Sequence, residues 1–226
     1  VTHRKKVFRL PKRDNISMSV IRRLPRYYRF LNQLKRDGVT RISSTELSAK
    51  LGLTASQIRQ DLNCFGGFGQ QGYGYIVEQL AAEIGRILGI EHNYKTVLFG
   101  AGNLGRAIAS HMDFKELGFQ LIGIFDVSPE KIGTIIRGTE VMDATYFEEF
   151  CKKYKPEMAT LCIPRTEVEA MIDRLYPLGI HSYWNFSHYD ITIKYPDAIV
   201  ENVHLNDSLL TLCYQISHNK DMKKKK

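Results

Sequence analysis

Gly100, Gly102 and Gly105 stand in the spacing G-x-G-x-x-G, with Ala101, Asn103 and Leu104 between them. This spacing suits phosphate chemistry. The first glycine permits a tight turn, the second lets a pyrophosphate approach bare backbone, and the third lets a helix lie close on a strand. A helix starting there also supplies free amides and the positive end of its dipole. The spacing recurs in unrelated chains, but here it has its required context. The apolar run Thr96–Phe99 precedes it, and RAIASHM follows with a helical pattern. About twenty residues on, FQLIGIFD ends at Asp126, whose carboxylate is placed to accept hydrogen bonds from ribose hydroxyls. A 2′-phosphate would meet like charge there. Val127, Ser128 and Pro129 follow with no Arg to receive it, which favours NAD(H) over NADP(H). The competing role for Asp126 is a helix N-cap ahead of Pro129.

A second set of chemistry-bearing residues lies earlier. Thr54 opens the helical pattern LTASQIRQDLNCF and, with Ser56, Gln57, Arg59, Gln60 and Asn63 on its polar face, is a candidate DNA contact. Such side chains pair with base edges and phosphates in a major groove. The plainer reading is a solvated helix face. The next segment, FGGFGQQGYGY, favours the groove. Its alternation of glycine with Phe65, Phe68, Tyr73 and Tyr75 predicts a β-hairpin wing. A glycine-rich tip lets backbone approach DNA, so Gly67, Phe68, Gly69, Gln71 and Tyr73 join the candidate DNA contacts. An ordinary hairpin with packed aromatics is the alternative.

These residues need elements to hold them. Residues 17–36 predict a helix with Leu24, Tyr27 or Tyr28, Leu31 and Leu34 on one stripe. Pro25 either kinks it or marks its true first turn. Ser43 and Glu46 form an S-x-x-E capping box, Gly52 ends the short helix, and Thr54 and Gln57 form a second box. Two short capped helices joined by a glycine turn make a helix-turn-helix. Residues 76–90 predict an amphipathic helix that links two domains. Downstream, a helix over 143–154, a strand over 158–164, a helix over 167–176 and a strand over 182–186 continue the alternation. The fold class expected is therefore α/β: a winged helix-turn-helix followed by a Rossmann-like, doubly wound parallel sheet. Ligands sit beyond the carboxyl ends of such strands. That places Ile163, Pro164, Arg165, Asn185 and Phe186 near a nicotinamide, although a loop role is equally open for each. The predicted boundaries are a basic tail over 1–16, the winged helix over 17–77, a connecting helix over 78–93, the dinucleotide domain over 94–205, and a last helix and basic tail over 206–226. That last helix carries Leu209, Leu212, Cys213 and Ile216 on one face, for its own domain or for a partner.

Charge separates the two parts. Residues 1–92 hold 16 Lys and Arg against 7 Asp and Glu, and the remainder hold 16 against 17. Only the first part is suited to a polyanion. No apolar run reaches about 18 residues and no leader pattern opens the chain, so a cytoplasmic protein without a membrane span is expected. Cys64, Cys151, Cys162 and Cys213 are far apart, which suits reduced thiols rather than disulfides or a metal site. An enzyme is disfavoured. No substrate domain follows the fingerprint, and His111, His181, His188 and His204 are scattered without a carboxylate orienter and an Arg clamp. A CoA-binding module is a third class, since related sheets bind that nucleotide; Asp126 and the wing argue against it.

The order VIRRLPRYYRFL, RISSTELSAKLGLTASQIRQDLNCFGGFGQQGYGY, FGAGNLG, FDVSPEKIG, IPR and NFS resembles the Rex family of bacterial redox-sensing transcriptional repressors. The resemblance runs from about Ser17 to His218, and the segment Arg59 to Tyr75 is its most specific part. It implies a homodimer in which the last helix swaps onto the partner subunit. It implies a palindromic, AT-rich operator bound in the apo or NAD⁺ state and released by NADH, with regulated genes serving fermentation and NADH reoxidation. The chain departs from the pattern at three places. Gln60 stands where many members carry a second basic residue, His111 where some have Tyr, and His204 where some have Asp.

Overall fold

The computed structural model describes residues 16–66 and 73–224. The chain divides into two compact units between Glu91 and His92.

The first unit opens with α1 (Met18–Ile21), capped by the Ser17 hydroxyl, and α2 (Leu24–Arg36). Pro25 lies in the first turn of α2, where its missing N–H leaves no bond unmade. The stripe Leu24, Tyr27 and Leu31 is buried. After the short strand β1 (Arg41–Ile42), α3 (Ser44–Leu51) starts with a complete capping box. Ser43 Oγ accepts from the Glu46 N–H at 3.1 Å, and Glu46 Oε2 accepts from the Ser43 N–H at 2.7 Å. Gly52 closes α3 in the left-handed region. Then α4 (Ala55–Asn63) begins at Thr54, whose hydroxyl accepts from the Gln57 N–H at 3.1 Å. The second box is half made, because the Gln57 side chain turns to Asp61 instead of reaching back to Thr54.

The strand β2 (Tyr75–Ile76) pairs antiparallel with β1. Residues 67–72, the predicted tip of the wing, lie outside the described residues. The final helix of this unit, α5 (Val77–Leu88), is a core element as well as the chain's route onward. Val77, Leu80, Ala81 and Ile84 are buried in one cluster with Leu24, Leu31, Ile58 and Leu62. A buried aliphatic side chain of this kind contributes about 1.5–3 kcal/mol, so α5 is part of what holds the first unit together.

The second unit contains β3 (Tyr94–Phe99), α6 (Asn103–His111), β4 (Phe119–Asp126), β5 (Ile135–Ile136), β6 (Thr139–Asp143), α7 (Phe147–Tyr154), β7 (Met158–Leu161), α8 (Arg165–Leu175), β8 (Ser182–Asn185), β9 (Ile199–Asn202) and α9 (Leu205–Lys224). Among the described residues the sheet has seven strands in the order β5-β6-β4-β3-β7-β8-β9. All neighbours run parallel except β5 and β6. Leaving out β5, this is the doubly wound dinucleotide-binding order, with its switch point between β3 and β7. Side chains alternate across the sheet. Val97 and Phe99 join the core with Phe125, Phe147, Leu161 and Val168, while Leu98 joins Ile108, Ile124 and Val141 on the other face. Sequence periodicity does not reveal β5, β6 or β9. β5 has only two residues, and the IVEN of β9 has no buried position to mark a period. The predicted helix over 143–154 is a 3-10 turn at Ala144–Tyr146 followed by α7.

The last helix is bare. Along α9, Leu209, Leu210, Leu212 and Ile216 are 48–69% exposed, and Cys213 is exposed. Docking on its own domain, one of the two roles open from sequence, is not what the described residues do.

Candidate nucleotide and nucleic-acid sites

The glycine turn lies at the carboxyl edge of the sheet, between β3 and α6. Gly100 has φ +93°. A Cβ there would stand 2.5 Å from the Cys162 carbonyl oxygen at the end of β7, so only glycine fits between the two central strands. A Cβ on Gly105 would collide with the Gly100 carbonyl and approach Leu98 Cδ2 to 3.2 Å. Gly102 faces open space, with only Lys131 Nζ at 4.0 Å from a Cβ built there. It is the N-cap of α6 and offers no side chain to the first turn. The first helical bond is from the Arg106 N–H to the Gly102 carbonyl, which leaves the amides of Asn103, Leu104 and Gly105 without helical acceptors. A bare glycine surface in front of unpaired amides is a cradle for a pyrophosphate. The residues present therefore fit a dinucleotide.

Asp126 ends β4 beside this turn and is 6% exposed. Its Oδ2 accepts from the Ala101 N–H at 2.6 Å and its Oδ1 from the Ser128 N–H at 2.8 Å. Lys131 Nζ lies 3.3 Å from Oδ2. Burial pushes this carboxyl up, but the Ser128 and Ala101 amides and Lys131 outweigh it and hold the group below the usual carboxylate range. Asp126 is thus ionised, with lone pairs left for ribose hydroxyls. Its bond to Ser128 makes an Asx-turn and not the helix N-cap of the competing role, since turns rather than a helix follow β4, so the carboxylate shapes its loop as well as facing the glycine turn. Sequence reasoning passed over Lys131. It lies in an apparent loop five positions after Asp126, and no local period points from it back to that residue.

Backbone bonds gather the other predicted cofactor residues along the same edge. The Gly100 N–H donates to Phe125, the Cys162 N–H to Phe99 and the Phe186 N–H to Leu161, at 2.8, 2.8 and 3.0 Å. Ile163 and Pro164 follow β7, and Arg165 opens α8 as an exposed cation with no carboxylate partner among the described residues. The Phe186 ring packs edge-on against Trp184 at 4.6 Å. Asn185 is placed differently from the others. It is fully buried, donates to the Tyr189 carbonyl and to Asn202 Oδ1, and accepts from the Ser187 N–H and hydroxyl. Every position of its amide is taken, so it builds the loop rather than reaching outward. Cys162 lies on this edge as a neutral thiol, pushed up to about 12 by burial.

In the first unit, Thr54, Ser56, Arg59, Gln60 and Asn63 are exposed on α4, and Gln57 is half-buried. The Arg59 guanidinium donates to Ser44 Oγ at 3.0 Å, which ties its stem to α3. Tyr73 is 70% exposed. Gly67, Phe68, Gly69 and Gln71 lie outside the described residues. The feature sequence reasoning missed is Asp61. It is 1% exposed on the inner face of α4 and paired with Arg23 at 2.6 Å. Its spacing from Ile58 and Leu62 puts it on the apolar stripe, and a carboxylate there demands a partner.

His111 is exposed at the end of α6. His204 stacks on His188, ring centroids 5.0 Å apart, at the start of α9. Among the described residues no helix is long and apolar enough to cross a membrane, and no His, Cys, Asp and Glu cluster could hold a metal.

A helix-turn-helix unit joined to a doubly wound sheet with a glycine phosphate turn defines a class: DNA-binding regulators that respond to a nucleotide. The comparisons with known proteins narrow it. The family described as "Putative DNA-binding protein N-terminus" matches residues 15–63, and "CoA binding domain" matches residues 91–189. The redox-sensing transcriptional repressor Rex of Thermoanaerobacter pseudethanolicus is 51% identical over 217 residues, 96% of either chain. That of Clostridium perfringens strain SM101 is 49% identical over 210 residues, 93% of this chain and 99% of its own. The crystal structure of RSP with NAD⁺ and operator DNA superposes with a TM-score of 0.83 at 51% identity, covering 92% of this chain and 96% of that one. RSP with NADH gives 0.85 at 48% identity, covering 95% and 100%. This chain belongs to the Rex family of redox-sensing transcriptional repressors.

Proposed function

We propose that this chain is a cytoplasmic, homodimeric repressor that grips a palindromic, AT-rich operator in the apo or NAD⁺ form and lets go in the NADH form, controlling genes of fermentation and NADH reoxidation. One observation carries the reading: relatives alike over nearly the whole chain were solved with NAD⁺ and operator DNA in one case and with NADH in another.

The residues divide the work. Ala101, Gly102 and the amides of Asn103, Leu104 and Gly105 hold the pyrophosphate at the head of α6, and Gly100 shapes the turn. Asp126 accepts from ribose hydroxyls. Ile163, Pro164, Arg165 and Phe186 border the nicotinamide, and Asn185 holds the loop from Ser187 to Tyr189 that follows. The oxidised and reduced rings differ in charge and planarity, and only contacts that feel that difference shift a two-state equilibrium. The bare face of α9, with Leu209, Leu212, Cys213 and Ile216, packs on a second copy. Ser56, Gln57, Arg59, Gln60 and Asn63 enter the major groove from α4, while Thr54 caps the helix at the backbone. Gly67, Phe68, Gly69, Gln71 and Tyr73 approach the minor groove from the wing. Two such units must span about one DNA turn, roughly 34–36 Å, to occupy both half-sites.

The test is a titration of NADH, NAD⁺, NADPH and CoA into protein bound to a labelled AT-rich duplex. Release by NADH alone is the expected result. Equal retention whatever dinucleotide is added would end the proposal, and release by CoA would point to the nucleotide that names the second family.

A further inference from the structure

The Asp61 carboxylate accepts four hydrogen bonds. Arg23 Nε donates to Oδ2 at 2.6 Å and Arg23 Nη2 to Oδ1 at 2.7 Å. The Tyr27 hydroxyl donates to Oδ2 at 2.6 Å. The fourth donor is Gln57 Nε2, 2.9 Å from Oδ1 and one turn earlier on the same helix. Three bonds hold the carboxylate from Arg23 and Tyr27, at and just after the start of α2. The fourth reaches a half-buried side chain whose neighbours Ser56 and Gln60 are exposed on the polar face of α4. Burial pushes the Asp61 carboxyl up, but Arg23, Tyr27 and Gln57 outweigh it and hold the group below the usual carboxylate range. It is therefore a fixed anion that accepts and never donates.

We infer that Asp61 is a positioning residue: it locks the orientation of the Gln57 amide and so sets the base preference of α4. An amide free in water presents its oxygen and nitrogen in either order. Against an acceptor-only carboxylate, Gln57 must turn its nitrogen inward. That leaves Oε1 and the second N–H in a single order toward the surface. Glutamine reads adenine by donating to N7 while accepting from the N6 amine, so this order decides whether both bonds form in register. This inference rests on the DNA-binding reading above and adds a determinant of selectivity that does not itself touch DNA.

The experiment uses the full chain and a duplex selected from random DNA by the wild-type protein. Affinities are measured for that duplex, for each A·T to G·C substitution in it, and for an unrelated duplex. Asp61→Asn is the informative variant, because it ends the acceptor-only constraint: an Nδ2 turned toward Gln57 would donate to its Oε1 and reverse the amide, giving up the Arg23 Nη2 bond that shares Oδ1. It should lower the preference for the selected duplex over its substituted forms about tenfold, the lower part of the range for one bidentate pair. Affinity for the unrelated duplex and for NADH should stay unchanged. In a Gln57→Ala background the same change should cost no further preference. Should Asp61→Asn fail to fold, Gln57→Met decides, since it alters only a half-buried side chain; it should lose the same preference. Retained preference in folded Asp61→Asn or in Gln57→Met overturns the inference, as does a parallel fall in affinity for all duplexes. If the wild-type protein selects no duplex, the repressor reading fails and takes this inference with it.

Discussion

At the scale of single residues, the dinucleotide edge is built by steric exclusion and by one buried anion. Gly105 is where α6 touches the turn it leaves, and no Cβ fits against the Gly100 carbonyl. Gly105→Ala should destabilise the second unit by about 1–3 kcal/mol, the usual cost of overpacking. It should also abolish saturable NADH binding, as read by melting and fluorescence titration; unchanged affinity would show that the turn is not the pyrophosphate seat. Asp126 makes a pH prediction. Its carboxyl is depressed in the folded protein because the Ser128 and Ala101 amides and Lys131 overcome burial. A depressed carboxyl stabilises the fold at pH values above its unfolded value of about 3.9, and that contribution fades as pH falls through the lower folded value. The difference in unfolding free energy between wild type and Asp126→Asn should therefore hold steady from pH 7 to about 5 and shrink below about 4. Urea unfolding across that range measures it, and a difference still undiminished at strongly acid pH would contradict the assignment.

At the scale of elements, α5 and α9 contrast. Both carry apolar residues at helical spacing, but only α5 has its stripe buried. The bare leucines of α9 are an apolar surface that needs a cover. Leu209→Asp combined with Ile216→Asp should convert the proposed dimer to a monomer in sedimentation runs. It should also weaken operator binding by at least a hundredfold, because one half-site grip is lost. The melting of the monomeric units should hardly change, since neither side chain lies in a core. A double variant that stays dimeric would place the interface elsewhere.

At the scale of the whole molecule, the proposal is a coupling between two sites, and such coupling is reciprocal. Whatever factor NADH removes from operator affinity, saturating operator DNA must remove from NADH affinity. Titrating NADH with and without the selected duplex checks this, and unequal factors would mean that a further species is present. The charge division between the two parts adds a consequence: operator affinity should fall steeply with salt, while NADH affinity should respond far less.

Sequence alone determined the features that are local in the chain. The G-x-G-x-x-G turn, the Ser43–Glu46 capping box and the Thr54 cap each depend on residues within a few positions of one another. Backbone sterics and helix-end hydrogen bonds act over that range. The alternation of apolar strands and helices revealed the doubly wound sheet for the same reason. Tertiary structure decided what joins distant residues. Arg23 and Asp61 are 38 positions apart, and no period or spacing announces the pair; the fingerprint spacing brings Asp126 to the glycine turn, but not its bond from the Ala101 N–H, 25 positions away. It also decided that β5, β6 and β9 complete the sheet, because short strands toward the ends of a sheet owe their pairing to a neighbour more than to their own pattern. And it decided that α5 is buried while α9 is bare, because burial belongs to the surface a helix meets and not to the stripe it carries.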